Sequence, residues 1–156
     1  MGRKTYKGLY KPRNPEKYVG DVSQVVYRSG WERKLMLRCD SDPNILKWGS
    51  ETMPIQYYSS VDGKTRRYFV DFFIQLKDRS GNVKSIMVEV KPHKETIPPV
   101  PPKRNTAKTK QRYVNEMMTY QRNQDKWEAA TAWGKKNGWD FTIMDEYSLG
   151  IKKRKA

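Results

Sequence analysis

Alternation of apolar and polar positions marks two stretches of this chain as strands: 66–76, RRYFVDFFIQL, and 83–91, VKSIMVEVK, joined by the turn-forming run DRSGN. With Ser80 near the centre of that turn, facing positions sum to about 160, which sets Asp71 opposite Glu89. Side chains alternate faces along a strand, so Val70, Phe72, Ile74, Ile86, Val88 and Val90 share one face, and Asp71, Glu89 and Lys91 the other. The pattern predicts an apolar floor with two acids and an amine gathered on its reverse.

Two segments have helical spacing instead. In 27–40, YRSGWERKLMLRCD, Ser29 followed three residues later by Glu32 opens a helix with Trp31, Leu35 and Cys39 along one face. From 106 to 136 the spacing of Tyr113, Met117, Tyr120, Trp127 and Ala130 predicts a long second helix that lays these residues on the core and stops at Gly138. Between the helices lie a turn at 41–44, short strands at ILKW and MPIQYYSS, and an Asp62-Gly63 hairpin leading into the Asp71 strand. The run IPPVPP, 97–102, reads as a stiff spacer or flap, with an SH3-type ligand as the alternative. A last strand follows in WDFTIMDEY, 139–147, with Phe141 and Ile143 inward. The sum is an α/β (α+β) protein with a mixed sheet. Its 156 residues suffice for one core, expected over 21–150, with basic flanks at 1–20 and 151–156.

Facing like charges destabilise a sheet, so Asp71 opposite Glu89 calls for a cation. Hard oxygen ligands suit Mg²⁺, or Mn²⁺, which lowers the pKa of a bound water and stabilises charge on a phosphodiester. Lys91 adds a point charge for the scissile phosphate or helps deprotonate the attacking water. The plain alternative is a solvated strand face of alternating charges. Glu32 has two competing roles as well: the third helical residue of a capping box with Ser29, or a further acid at the site. A lone cysteine excludes an intrachain disulfide and places Cys39 in the core, and with the single His93 it cannot build a zinc site. His93 reads as an exposed loop residue, with contact to a phosphate, two residues beyond Lys91 on the same strand face, as the alternative. No glycine-rich phosphate loop is present, so no nucleotide cofactor is expected. With no apolar stretch long enough for a signal peptide or a membrane span, the expected location is the cytosol or a particle assembled there.

Charge names the partner. The net charge of +15 is concentrated in 1–20 (+5), 103–112 (+5) and 151–156 (+4), which leaves +1 on the body. Coulomb attraction and counterion release to a polyanion account for this segregation, and the basic stretches lack the apolar face that a membrane surface requires. Lys4, Lys7, Lys11, Arg13, Lys103, Arg104, Lys108, Lys110 and Arg112 are the expected nucleic-acid contacts, and Tyr6, Tyr10 and Tyr18 interleave with the first group to stack on bases. For IKKRKA alone a disordered tail is the simpler reading.

Asp71 followed by Glu89-Val90-Lys91 on the next strand resembles the PD-(D/E)xK nuclease superfamily, with Val70 standing where the nominal proline would be. The resemblance implies a restriction-endonuclease-like αβββαβ core. It also implies a metal held by Asp71, Glu89 and the Val90 carbonyl, a catalytic Lys91, and Glu32 as the first-helix acid that completes the site. Over nearly the whole chain, SGWERK, VDFF, VEVKP, the proline-rich segment, NQDKWEAA and WDFTIMDEYSLGI resemble the head-completion nucleases of T-even-type tailed phages, and less closely TnsA-type transposon-end endonucleases. This implies a Mg²⁺-dependent deoxyribonuclease that trims packaged double-stranded DNA before head–tail joining, located in the virion or host cytoplasm, with head or portal proteins as partners. A TnsA-like or junction-resolving nuclease and a non-enzymatic DNA-binding head protein are the alternatives. Asn123, Lys126 and Trp127 match family-like positions on the second helix, where packing or DNA contact accounts for them.

Overall fold

In a computed structural model that describes residues 7–153, the chain runs through β1 (Gly8–Leu9), β2 (Val26–Tyr27), α1 (Gly30–Ser41), β3 (Ile45–Ser50), β4 (Pro54–Ser59), β5 (Lys64–Phe69), β6 (Phe72–Lys77), β7 (Val83–Val90), α2 (Ala107–Asn137) and β8 (Asp140–Met144). The central sheet has the order β3-β6-β7-β8, and separate two-stranded ribbons pair β1 with β2 and β4 with β5. The named strands all pair antiparallel except β7 with β8, whose parallel alignment needs the long crossover that α2 supplies. This mixed α/β architecture agrees in general terms with a restriction-endonuclease-like fold. Among the described residues no helix is long and apolar enough to cross a membrane.

The turn between β6 and β7 fixes the register of the sheet. Asp78 Oδ1 accepts from the N–H groups of Ser80 and Asn82, both at 2.9 Å, and Gly81 adopts φ 81°. Pairing then runs from Lys77↔Val83 to Phe72↔Val88, the expected register. The strand expected over 66–76, however, is two strands. β5 pairs with β4 outside the central sheet, the chain breaks at Val70 and Asp71, and β6 enters the sheet between β3 and β7. Face parity inverts at this break. Phe72, Ile74 and Val88 pack under α1 with Leu35, Met36, Cys39 and Trp48. Val70 and Tyr68 instead join Phe73, Met87, Trp127 and Ala130 under α2. Both faces of the sheet are therefore buried, and the reverse of the floor is apolar except at the strand ends.

Only the second half of α2 carries the core. Its buried residues are Asn123, Trp127, Ala130 and Gly134, whereas Met117 is exposed and Tyr113 and Tyr120 are half-buried. The three had been expected to pack inward; the sheet and the β4–β5 ribbon extend under the later turns alone. At Gly134 the helix meets the strand it serves: a Cβ there would stand 2.1 Å from the Trp139 carbonyl oxygen. The helix closes at Gly138 in the left-handed conformation, φ 76°.

Residues 10–18 lie against the core. The buried Asp40 carboxylate accepts from Tyr10 Oη (2.6 Å) and from the N–H groups of Arg13 (2.7 Å) and Asn14 (2.9 Å). Lys17 Nζ donates to the carbonyls of Asp40 (3.0 Å) and Asp42 (2.8 Å), covering the end of α1 where a cation complements the helix dipole. The rings of Tyr10 and Tyr18 stand edge-on to Trp48 at 6.1 and 4.7 Å. These two tyrosines, expected to stack on bases, are core residues; Tyr6 lies outside the described residues.

Candidate active site

Three strands of the central sheet end at one edge. Ser50, Phe72 and Val88 face one another across β3, β6 and β7, so the next residue of each strand, Glu51, Asp71 and Glu89, continues the row. The Glu51 N–H donates to the Asp71 carbonyl at 3.1 Å, and the Val90 N–H donates to Asp71 Oδ2 at 2.8 Å. Glu89 is 7 % exposed. Its Oε2 accepts from the Tyr68 hydroxyl, which the inverted parity of β5 has brought round to this face. Lys91 is half-buried, and its N–H is tied to the Met144 carbonyl at 3.0 Å.

Helix α1 contributes Glu32 from its first turn. Ser29 Oγ accepts from the Glu32 N–H at 3.1 Å and donates to Glu32 Oε2 at 3.3 Å. The carboxylate of a full capping box would bond back to the Ser29 N–H. Here it meets the hydroxyl instead and lies within electrostatic reach of Asp71. Burial first, and the Asp71 charge second, push the Glu32 carboxyl up to about 7. Asp71 is held above the ordinary carboxylate range, chiefly by burial, against the pull of the Val90 N–H and Lys91. Glu89 is raised by burial and then by Asp71, with Tyr68, Lys91 and Lys126 opposing. The site is thus a set of partly desolvated, mutually repelling acids whose ionisation a further cation would favour.

The hairpin register brings Asp71, Glu89 and Lys91 together, and α1 adds Glu32. Reasoning from sequence missed Tyr68 and Glu51. A continuous strand would have sent Tyr68 to the face opposite Asp71, and Glu51 becomes a neighbour only once β3 is known to pair with β6. Glu51 adopts φ 50°, a strained conformation for a residue with a side chain, and is ion-paired to Arg28. Lys126 of α2 reaches in from above. Its Nζ lies 5.6 Å from the ring centre of Tyr68 and 6.0 Å from that of Tyr57, and burial depresses its pKa. His93 stands off the strand in a 3-10 turn, exposed, with Nδ1 3.3 Å from Asp145.

Among the described residues no group of three or more His, Cys, Asp or Glu side chains is arranged to hold a metal. One oxygen of Asp71, of Glu89 and of Glu32 is already hydrogen-bonded within the protein. The chemistry of the donors nevertheless fits a hard divalent cation: oxygen ligands only, partly stripped of water and mutually repelling. Of the expected nucleic-acid contacts, Lys7, Lys11, Arg13, Lys103, Arg104, Lys108, Lys110 and Arg112 are exposed, and Lys4 lies outside the described residues.

This chain, with acids and a lysine at the open end of an antiparallel hairpin between a helix that lends a glutamate and a crossover helix, is similar in sequence to a class of endonucleases. Residues 42–146 match the family described as TnsA-like endonuclease N terminal, and the chain belongs to that family. It is also 44% identical over 144 residues to the head completion nuclease of Enterobacteria phage T4, a match that covers 92% of this chain and 93% of that protein. The PD-(D/E)xK kinship read from Asp71, Glu89 and Lys91 stands on these two matches. No solved structure gives a significant match.

Proposed function

We propose that this protein is a Mg²⁺- or Mn²⁺-dependent deoxyribonuclease of phage head completion, which trims packaged double-stranded DNA before the tail joins. The observation that carries the reading is the pair of acids at the end of β6 and β7, Glu89 buried and Asp71 half-buried, with Lys91 beside it. In its support, α1, β3, β6, β7, α2 and β8 follow the order of an αβββαβ core into which β4 and β5 are inserted.

Asp71, Glu89 and the Val90 carbonyl hold the metal, and Glu32 bears on the same ion or a second one. When bound, that ion lowers the pKa of a water and neutralises charge on the phosphodiester. Lys91 sets its ammonium against the scissile phosphate. Tyr68 fixes the rotamer of Glu89 through its hydroxyl, and Lys126, seated on two rings, supplies a second positive charge on the phosphate side. The exposed lysines and arginines around the start of α2 and in the first flank hold the duplex, with the proline-rich segment 97–102 as a flap. Basic charge at the beginning of α2 supports this: Lys108 and Lys110 fall in a first turn that contains no acid, where the helix dipole disfavours cations. Docking against head or portal proteins, in the virion or the host cytoplasm, confines the activity to the protruding DNA end.

Nicking of supercoiled DNA tests the reading. Wild type is expected to cleave with Mg²⁺ and not in EDTA, and Asp71→Ala, Glu89→Ala and Lys91→Ala are each expected to lose cleavage while still melting cooperatively. Undiminished cleavage by Asp71→Ala would overturn the site. A protein that binds DNA but never cleaves it would favour the non-enzymatic head protein.

A further inference from the structure

The β4–β5 ribbon has two unlike faces. Ile55, Tyr57 and Tyr68 are buried toward α2, and the residues that alternate with them point the other way. On that outer face Gln56 pairs with Arg67, Tyr58 with Thr65 and Pro54 with Phe69. Tyr58 is 63 % exposed and Phe69 43 %, far more than rings of this size need be. The Arg67 guanidinium lies 5.9 Å from the Phe69 ring centre and has no acidic partner among the described residues. Arg66, on the inner face, is by contrast neutralised by Asp62 at 2.8 Å. Gln56, Thr65, Arg66, Arg67 and Phe69 line an open cavity of about 490 Å³.

We propose that the outer face of this ribbon is a DNA-binding surface, seated on the duplex a few base pairs from the cut. Arg67 takes a phosphate or a base edge, Gln56 a base edge, and Phe69 and Tyr58 offer planar surfaces. Charge complementarity selects the partner. Asp62 is the only acid in 54–69, against Lys64, Arg66 and Arg67, and a two-stranded ribbon is one of the shapes that the major groove admits. Apolar rings beside an unpaired guanidinium suit sugars and thymine methyl groups next to phosphates. Reach sets the position. Arg67 is four residues from Asp71, at most about 14 Å of chain, which corresponds to about four base pairs of rise. The surface is separate from the basic cluster at the start of α2, and the inference rests on the nuclease reading.

The test uses the full-length chain, a labelled duplex and fluorescence anisotropy across a salt series in EDTA, with melting to confirm the fold and cleavage mapped separately in Mg²⁺. Arg67→Ala is expected to weaken binding and to reduce the slope of log K against log salt by about one, the share of a single phosphate contact, whereas Arg67→Lys retains the slope. Phe69→Ala combined with Tyr58→Ala is expected to weaken binding about tenfold at unchanged slope, as loss of uncharged contacts with sugars and thymine methyl groups should. A photo-crosslinker in place of Tyr58, which pairs with Thr65 six residues from Asp71, is expected to mark DNA within about six base pairs of the cut. If wild type neither binds nor cleaves DNA, the nuclease reading itself fails. If wild type does both, and the Arg67 and ring variants match it in affinity, slope and cut position, the ribbon proposal alone is overturned. Variants that bind DNA normally but fail in tail joining would likewise overturn it and make the ribbon a protein dock.

Discussion

Glu32 holds its proton up to about pH 7 because burial removes water from the carboxylate and Asp71 opposes its charge. Unfolded, it ionises near its ordinary value of 4.5. Between those values the folded state binds more protons than the unfolded one, so this group makes stability fall as pH rises through the window. Asp71 and Glu89 act in the same direction. Glu32→Gln is therefore expected to stabilise the metal-free protein by about 1–2 kcal/mol at pH 8, after discounting for partial solvent screening, and to change little at pH 4.5. Urea denaturation in EDTA at both pH values measures it. Mg²⁺ should raise the melting temperature of wild type and leave that of Asp71→Asn unmoved, since only a ligand that prefers the folded state stabilises it. Tyr68→Phe removes the hydrogen bond that lowers the Glu89 pKa, so the acid limb of the pH–rate profile is expected to move to higher pH.

At the scale of elements, the register of β6 and β7 was legible because the turn is local: Asp78, Ser80, Gly81 and Asn82 supply its hydrogen bonds and its positive φ. The ends of α2 were legible for the same reason, Thr106 and Gly138 being local signals. The break at Val70 and Asp71 was not. RRYFVDFF keeps a strand pattern straight through it, and only the competing partners, β4 on one side and β3 with β7 on the other, divide it. That break decides the site, because it turns Tyr68 toward Glu89. Apolar spacing likewise continues along α2 beyond the surface that it can cover, which is why Met117 was expected in the core. Trp127→Ala is expected to cost about 3–5 kcal/mol and Met117→Ala under about 1 kcal/mol in the same denaturation experiment. Gly134→Ala should cost about 1–3 kcal/mol or more, because the Trp139 carbonyl it would strike is backbone and cannot swing aside.

For the whole molecule, positive charge is spent where it does not help folding. Replacing Lys108, Lys110 and Arg112 together by alanine is expected to weaken DNA binding and to shallow the salt slope by about 2–3. Thermal stability should hold or rise slightly, since the change relieves the unfavourable meeting of cations with a helix N-terminus. Deleting residues 1–20 would be a poor substitute, as it removes Tyr10 and Tyr18 from the core and Lys17 from the end of α1. In a phage lacking the protein, Lys91→Ala is expected to leave DNA-filled heads without tails, scored by electron microscopy; tailed, infectious particles would mean that the chemistry is dispensable.

The α1-side core draws on both flanks of the sequence, Tyr10 from before the first helix and Leu149 from beyond the last strand, each in the same buried cluster. Synthesis at 5–20 residues per second separates their emergence by roughly 7–28 s. Until then Asp71 and Glu89 have a hairpin but no β8 beside it, and Tyr10 and Trp48 have no Leu149 to close on. Each newly made molecule therefore passes through an interval in which its acids are translated but not yet enclosed, and the geometry around them is completed only after β8 and Leu149 have emerged.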